Sequence, residues 1–343
     1  MADPRDPVAD LNRIAYLLEA MQEPAYRIRA FRGAATALTE MGPEEVGRLA
    51  ATGGLRGVSG IGEVTERTIL ESLRGEEPVY LRRLVSTGGQ PLEAGARSLL
   101  EALRGDLHAH TLASDGGAKI REMAETAIEI GHEYLVITDH SPRLTVANGL
   151  ETERLMAQLE EIAAVNRELA PFRILTGIEV DINEDGSLDQ TPDVLARLDV
   201  VVGSVHSELR MDEKPMTRRM VTALADPNLD VLGHCTGRMK AGRRNRPPST
   251  FDADIVFAAA ARFDKAIEVN SRPERLDPPK RLLRLAVEAG CRVSIDSDAH
   301  TLGQLSWLRN GCERAFLCGV TPEIVVNALP ADQLLAWTGS HSA

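Results

Sequence analysis

The sequence predicts a small all-helical domain followed by a parallel α/β barrel, on three observations. Before Gly105 the apolar residues recur at spacings of three and four, the period of an amphipathic helix. After Gly105, seven short β-branched runs alternate with helical segments, the signature of parallel strands joined by crossover helices. The length of 343 residues accommodates a barrel of about 240 residues with a smaller companion.

Residues 8–21 carry Leu11, Ile14, Leu17, Leu18 and Met21 on one helical stripe, and further helices fit 25–40, 43–51 and 63–74. Gly57-Val-Ser-Gly-Ile-Gly62 cannot continue a helix and reads as a tight hairpin opening the helix near Glu63. Residues 1–84 are therefore expected as the helical domain and 85–104 as a linker with a short helix over Pro91–Leu103. The barrel occupies 105–343, with strands near 105–109, Leu135–Thr138, Ile174–Val180, Val200–Val205, Leu229–Gly233, Ala266–Asn270 and Arg292–Ile295.

Composition excludes several classes. The longest wholly apolar run, Ile255 to Ala261, is seven residues, far below the roughly 18 that span a bilayer. The first residues lack the apolar stretch of a signal peptide, so a cytoplasmic location without a membrane partner is expected. Cys235, Cys291, Cys312 and Cys318 show no CxxC spacing, which argues against a disulfide framework or zinc ribbon. Residues 1–104 hold 13 Arg against 15 Asp+Glu and no lysine, and the remainder holds 26 basic against 36 acidic residues. Net charge of −12 argues against a general polyanion binder. It does not forbid one, because carboxylates that hold divalent cations have their local sign inverted.

Six of the eight histidines fall at or just beyond a predicted strand end: His108, His110, His140, His206, His234 and His300. Asp115, Glu179 and Asp298 share that placement. In a parallel barrel every strand aims its C-terminal end at one mouth. His108-Ala-His110 and Asp298-Ala-His300 each put two donors on one face of an extended segment. A lone strand-end histidine is usually a hydrogen-bonded structural residue, but nine donors repeating one placement imply a metal site. Imidazole and carboxylate together suit zinc, manganese or iron, and nine donors exceed the needs of one ion, so two or three ions are expected. His132 and His341 lack the placement and read as a helix-end and a tail residue.

Asp106-Leu-His-Ala-His110, Thr138-Asp-His140, Gly177-Ile-Glu-Val-Asp181, Ser204-Val-His206, Gly233-His234 and Asp296-Ser-Asp-Ala-His300 resemble the ordered motifs of the polymerase and histidinol phosphatase (PHP) family over about 105–327. The resemblance implies a distorted seven-stranded, TIM-like βα barrel holding three divalent ions. It implies one ion on His108, His110, Glu179 and Asp298. A second would be bridged by Glu179 to His206 and His300, and a third held by Asp115, His140 and His234. The wording around these motifs is most similar to the PHP domain of bacterial family X DNA polymerases. The helical start resembles their helix-hairpin-helix domain, with Gly60-Ile-Gly62 at the hairpin. The palm with its paired aspartates is missing, since only about thirty residues separate the hairpin helix from the barrel, so no polymerase activity is expected. Thr68 stands where related lyase domains carry a Schiff-base lysine, so no lyase activity is expected either.

Clustered divalent ions generate hydroxide from bound water near neutral pH and neutralise charge on a phosphoester, so attack of metal-bound hydroxide on phosphorus is the expected reaction, with Glu179 setting the metal spacing. Arg238, Arg243, Arg244 and Arg272 are candidate clamps for phosphate oxygens, with Arg238 the strongest catalytic candidate. Backbone N–H groups of Gly60 and Gly62 at a helix start, with Arg27, Arg29 and Arg32 alongside, could hold DNA phosphates without reading bases. The favoured function is a DNA-processing phosphodiesterase, a 3′–5′ exonuclease or 3′-end trimming enzyme of repair. The alternatives are a phosphatase for a small phosphorylated metabolite of the histidinol-phosphate type, and an interaction module that uses metal only structurally. An amidohydrolase-like barrel is disfavoured, because none of the five lysines follows a predicted strand.

Overall fold

The structure, a computed structural model, describes residues 5–87, 91–240 and 245–342. The chain divides into two compact units, Met1–Pro91 and Leu92–Ala343.

The first unit consists of α1 (Pro7–Ala20), α2 (Ala25–Met41), α3 (Pro43–Thr52), α4 (Glu63–Leu73) and α5 (Val79–Thr87). Asp6 caps α1 by accepting from the Val8 N–H at 2.8 Å. The stripe Leu11, Ile14 and Leu18 is fully buried and packs with Phe31, Leu38, Val46, Leu55, Ile61, Ile69 and Leu81. Gly60, beside the Gly33 carbonyl of α2, has φ +89°, a conformation that calls for glycine.

The second unit opens with α6 (Ala94–Ala102) and continues with β1 (Gly105–Asp106), α7 (Ile120–Glu129), β2 (Tyr134–Ile137), α8 (Thr152–Leu169), β3 (Arg173–Asp181), α9 (Pro192–Leu195), β4 (Val200–Ser204), α10 (Glu213–Leu224), β5 (Val231–Leu232), α11 (Ala253–Arg262), β6 (Ala266–Asn270), α12 (Lys280–Glu288), β7 (Arg292–Asp296), α13 (Leu308–Leu317) and α14 (Ala331–Gly339). The seven strands lie in sequence order and every ladder is parallel, as a TIM-like barrel of βα units requires. The stretch expected as a linker is only partly one. Leu99 and Leu103 are buried with Val269, Val293, Ile295 and Leu308, so α6 belongs to the barrel unit.

No ladder joins β1 to β7; a single parallel bridge, Ala109 with Ala299, closes the ring at the top. Lower down, the buried Asn327 fills the seam. Its amide donates to the Gly105 and Ile295 carbonyls at 3.0 and 2.7 Å, and its Oδ1 accepts from the Ile295 N–H at 3.0 Å. The floor is apolar: Leu334 and Trp337 of α14 pack against Leu107, Tyr134, Val136, Val200, Val202 and Val231. His341, expected as a tail residue, is instead anchored there, its Nδ1 2.7 Å from Asp230 Oδ1. The four cysteines are buried and unpaired. Among the described residues no helix is long and apolar enough to cross a membrane.

Candidate metal centre

The nine donors come from strand ends on one rim. His108, His110 and Asp115 follow β1, His140 follows β2, Glu179 lies within β3, His206 follows β4, His234 follows β5, and Asp298 and His300 follow β7. Asp298 adopts a left-handed backbone, φ 54°, uncommon for a residue with a Cβ.

Glu179 is the hub. Its Oε2 lies 3.2 Å from His108 Nε2, 3.5 Å from His110 Nε2 and 2.9 Å from His140 Nδ1. Its Oε1 lies 3.3 Å from His206 Nε2 and 2.9 Å from His234 Nε2. Asp115 stands 3.6 Å from His140 Nε2 and 3.5 Å from His300 Nε2, and Asp298 stands 3.6 Å from His110 Nε2. Three donor sets have ligand atoms within 4.8 Å of one another: His110, Asp115, His140 and His300; His108, His110 and Glu179; His140, Glu179 and His206.

Seven of the nine expected donors fall in these sets, with His234 against Glu179 and Asp298 against His110, and two stand elsewhere than in the expected grouping. His300, not His234, faces Asp115 and His140, while His234 joins Glu179 beside His206. The cause is the strand order. β7 adjoins β1 across the seam, so His300, two residues past Asp298, looks onto the β1 loop, with the Gly117 N–H bonding the His300 carbonyl at 2.6 Å. β5 adjoins β4, and the His206 and His234 rings lie 5.2 Å apart.

The chemistry of the donor set fits divalent cations. His108 Nε2, both ring nitrogens of His110, His140 Nδ1 and His234 Nδ1 are buried without a hydrogen-bond partner, a state rare for polar atoms that lack a further ligand. Burial would raise the Glu179 carboxyl, but the imidazoles of His108, His140 and His206 outweigh it and hold the group ionised, well below the usual carboxylate range. Burial pulls His110 well down, with His300 and His140 adding to the effect, and so favours its neutral form, the form that can bind a cation. For His206, burial acts downward and Glu179 with Asp181 acts upward; the net is about 9. Asp298 is likewise held well down: burial is overcome by Arg272 and Arg275.

Outer residues that sequence reasoning did not single out fix the rings or the loops that carry them. Glu268 Oε1 lies 2.6 Å from His108 Nδ1, leaving Nε2 for the cluster, and its Oε2 accepts from the His234 N–H. Asp181 bonds His206 Nδ1. Asp139 accepts from Thr111 and Gln158, both at 2.6 Å, and from Ser114. The signal was present in two cases. Asp181 is two residues from Glu179 and so shares its face of β3, and Glu268 interrupts an apolar strand.

The arginine expectations fare unevenly. Arg238 is no free clamp: its Nε donates to the Arg275 carbonyl at 2.9 Å and its Nη2 to the Leu276 carbonyl, so its guanidinium ties two rim loops together. Arg272 does border the cluster, its Nη1 donating to the Asp298 carbonyl at 3.1 Å and lying 2.9 Å from His300 Nδ1. Arg275, not anticipated, pairs with Asp298 Oδ2 at 3.1 Å. Arg243 and Arg244 lie outside the described residues. In the helical unit, Arg27 pairs with Glu23 and donates to Tyr80 Oη at 2.9 Å, and Arg32 pairs with Glu19 at 2.7 Å. Arg29 is exposed. The Gly62 N–H donates to Thr65 Oγ1 at 2.9 Å and so already has an acceptor, which weakens it as a phosphate donor.

Comparison with known proteins places these motifs. The PHP domain family matches residues 106–272. The DNA polymerase/3′-5′ exonuclease PolX of Bacillus subtilis (strain 168) is 40% identical over 248 residues, covering 71% of this chain and 43% of that protein. The chain thus spans less than half the length of that relative. A "Probable phosphatase" of Thermoanaerobacter sp. (strain X514) is 28% identical over 233 residues, 65% of this chain and 89% of that protein. Among solved structures, histidinol phosphate phosphatase from Lactococcus lactis, complexed with zinc, L-histidinol and phosphate, aligns at 17% identity and a TM-score of 0.45, over 64% of this chain and 94% of that one. Residues 106–272 carry a PHP domain, set in a seven-stranded parallel barrel whose rim gathers histidine, aspartate and glutamate side chains.

Proposed function

We propose that the chain is a cytoplasmic DNA-processing phosphodiesterase that shortens or trims 3′ ends with a cluster of three divalent ions, zinc, manganese or iron. The observation that carries the reading is the convergence of five imidazoles on the single carboxylate of Glu179. His108, His110, Glu179 and Asp298 would hold one ion, Glu179, His206 and His234 a second, and Asp115, His140 and His300 a third. Bound there, such ions supply a nucleophile at neutral pH and neutralise phosphoryl charge. The chain's own part is positional. Glu179 spans two ion positions, Glu268 and Asp181 hold ring nitrogens in register, and Arg272 with Arg275 offers cationic N–H groups beside Asp298 for non-bridging phosphate oxygens.

The preference for DNA rests on the PolX likeness and on the helical unit, whose hairpin at Gly60 and exposed Arg29 suit a sequence-independent backbone contact. Thr68, buried and bonded to the Val64 carbonyl at 3.0 Å, offers no amine, so lyase chemistry is not part of this reading. A small-molecule phosphatase is the second reading, favoured by a phosphatase relative that aligns over 89% of its own length. The purified protein with Mn²⁺ should shorten 3′-end-labelled single-stranded or gapped DNA in a ladder, with binding that weakens steeply with salt. Release of phosphate from phosphorylated metabolites, with labelled DNA left intact, would establish the second reading instead.

A further inference from the structure

Arg219 on α10 has no exposed surface, and its hydrogen bonds go to Ile182 and Ser207 rather than to a residue of the cluster. Its guanidinium reaches two rim loops at once. Nε donates to the Ile182 carbonyl at 3.1 Å, and Nη2 donates to the same oxygen. Nη1 donates to the Ser207 carbonyl at 3.0 Å, and Nη2 lies 3.2 Å from Ser207 Oγ. Ile182 follows Asp181 and Ser207 follows His206, the two residues joined by the Asp181–His206 Nδ1 bond. The next residue, Glu208, has φ 48°, so the loop leaving His206 turns through a conformation that side chains with a Cβ seldom adopt. The turn after Asp181 also packs on α10: Gly186, φ +90°, would place a Cβ 2.7 Å from the Arg219 carbonyl oxygen.

A buried guanidinium is costly unless its donors are met. Here four of its contacts go to the backbone or side chain of the residues directly after a ligand and after that ligand's acceptor. We infer that Arg219 is a positioning residue: it locks the β3 and β4 loops so that Asp181 presents the His206 ring, and thereby sets the affinity of the ion position formed by Glu179, His206 and His234. Lysine at 219 would keep the charge but lacks the planar fork that reaches both carbonyls.

This inference rests on the metal reading, and one experiment separates the two. Wild type, Arg219→Lys, Arg219→Met, Asp181→Asn and the Arg219→Lys/Asp181→Asn double variant are freed of metal and titrated with Mn²⁺. Bound ions are counted by elemental analysis and metal-free stability is followed by thermal melting. Arg219→Lys should lose about 10–100-fold in affinity for one ion while the others bind as before, matching Asp181→Asn. The double variant should lose no more than the larger single loss, because both residues act through one ring. Undiminished affinity in Arg219→Lys overturns the inference, as do losses that add in the double variant or a lowered melting temperature with metal affinity intact. Should Arg219→Met fail to fold, the lysine variant still decides. A wild type that takes up no metal would refute the proposed function itself.

Discussion

The same seven strands end in two different chemistries. At the floor, polar groups are met inside the protein: Tyr134 Oη donates to the Leu329 carbonyl at 3.0 Å, Trp337 Nε1 to the Asp264 carbonyl at 3.1 Å, and His341 pairs with Asp230. At the rim, imidazole nitrogens are equally buried and several have no acceptor or donor. The floor is mostly apolar, but the polar groups it does hold are buried as those of the rim are, and what differs is satisfaction. The floor groups named close on their neighbours and build the fold, whereas the open imidazole nitrogens gathered at the rim suit a ligand.

Four substitutions test that contrast. Glu179→Ala should abolish metal-dependent hydrolysis and reduce bound metal by more than about 100-fold, beyond the loss typical of an outer residue; elemental analysis and the DNA assay check it. Trp337→Ala removes a floor anchor and should cost about 3–5 kcal/mol by denaturant unfolding, with turnover per folded molecule unchanged. A large loss of turnover there would erase the distinction between the two ends. Glu268→Gln keeps the rim packed but weakens the hold on His108, and should lower metal affinity about 10–100-fold with little change in melting. His132, below the barrel, is held by burial at about 4 against an ordinary 6.5. Its folded value is depressed, so its contribution to stability is present above pH 6.5 and is lost as pH falls toward 4. His132→Gln should flatten that acid-side drop in melting temperature, with activity at pH 7 unaltered.

The rim was legible because chemistry and period coincide there. Histidine at one strand end after another, with i and i+2 pairs, projects donors to one mouth whatever the details of closure. The helical unit was legible for a similar reason, its apolar stripes ending at Gly42, Gly53 and the turn around Gly60. What could not be read needed neighbours in space. The exchange of His234 and His300 follows from β7 meeting β1, a relation that exists only once the ring closes. Arg238 lies four residues past His234, yet its donors face the Arg275 and Leu276 carbonyls, because a side chain's neighbours in the sequence do not determine where it points. Arg275 and Asp139 were unreadable for the same cause. His341 was misread because nothing in its local sequence announces a buried aspartate 111 residues away.

The seam between the first and last strands bears on more than grouping. His110 and Asp115 stand on one side of it and His300 on the other, and no strand ladder joins the two sides: the Ala109–Ala299 bridge, the Gly117–His300 bond and the Asn327 amide do. An ion shared by those side chains would act as a rivet through the weakest join of the ring. Stripping it would then slacken the architecture as well as silence the chemistry, making cation supply a determinant of how long each molecule lasts.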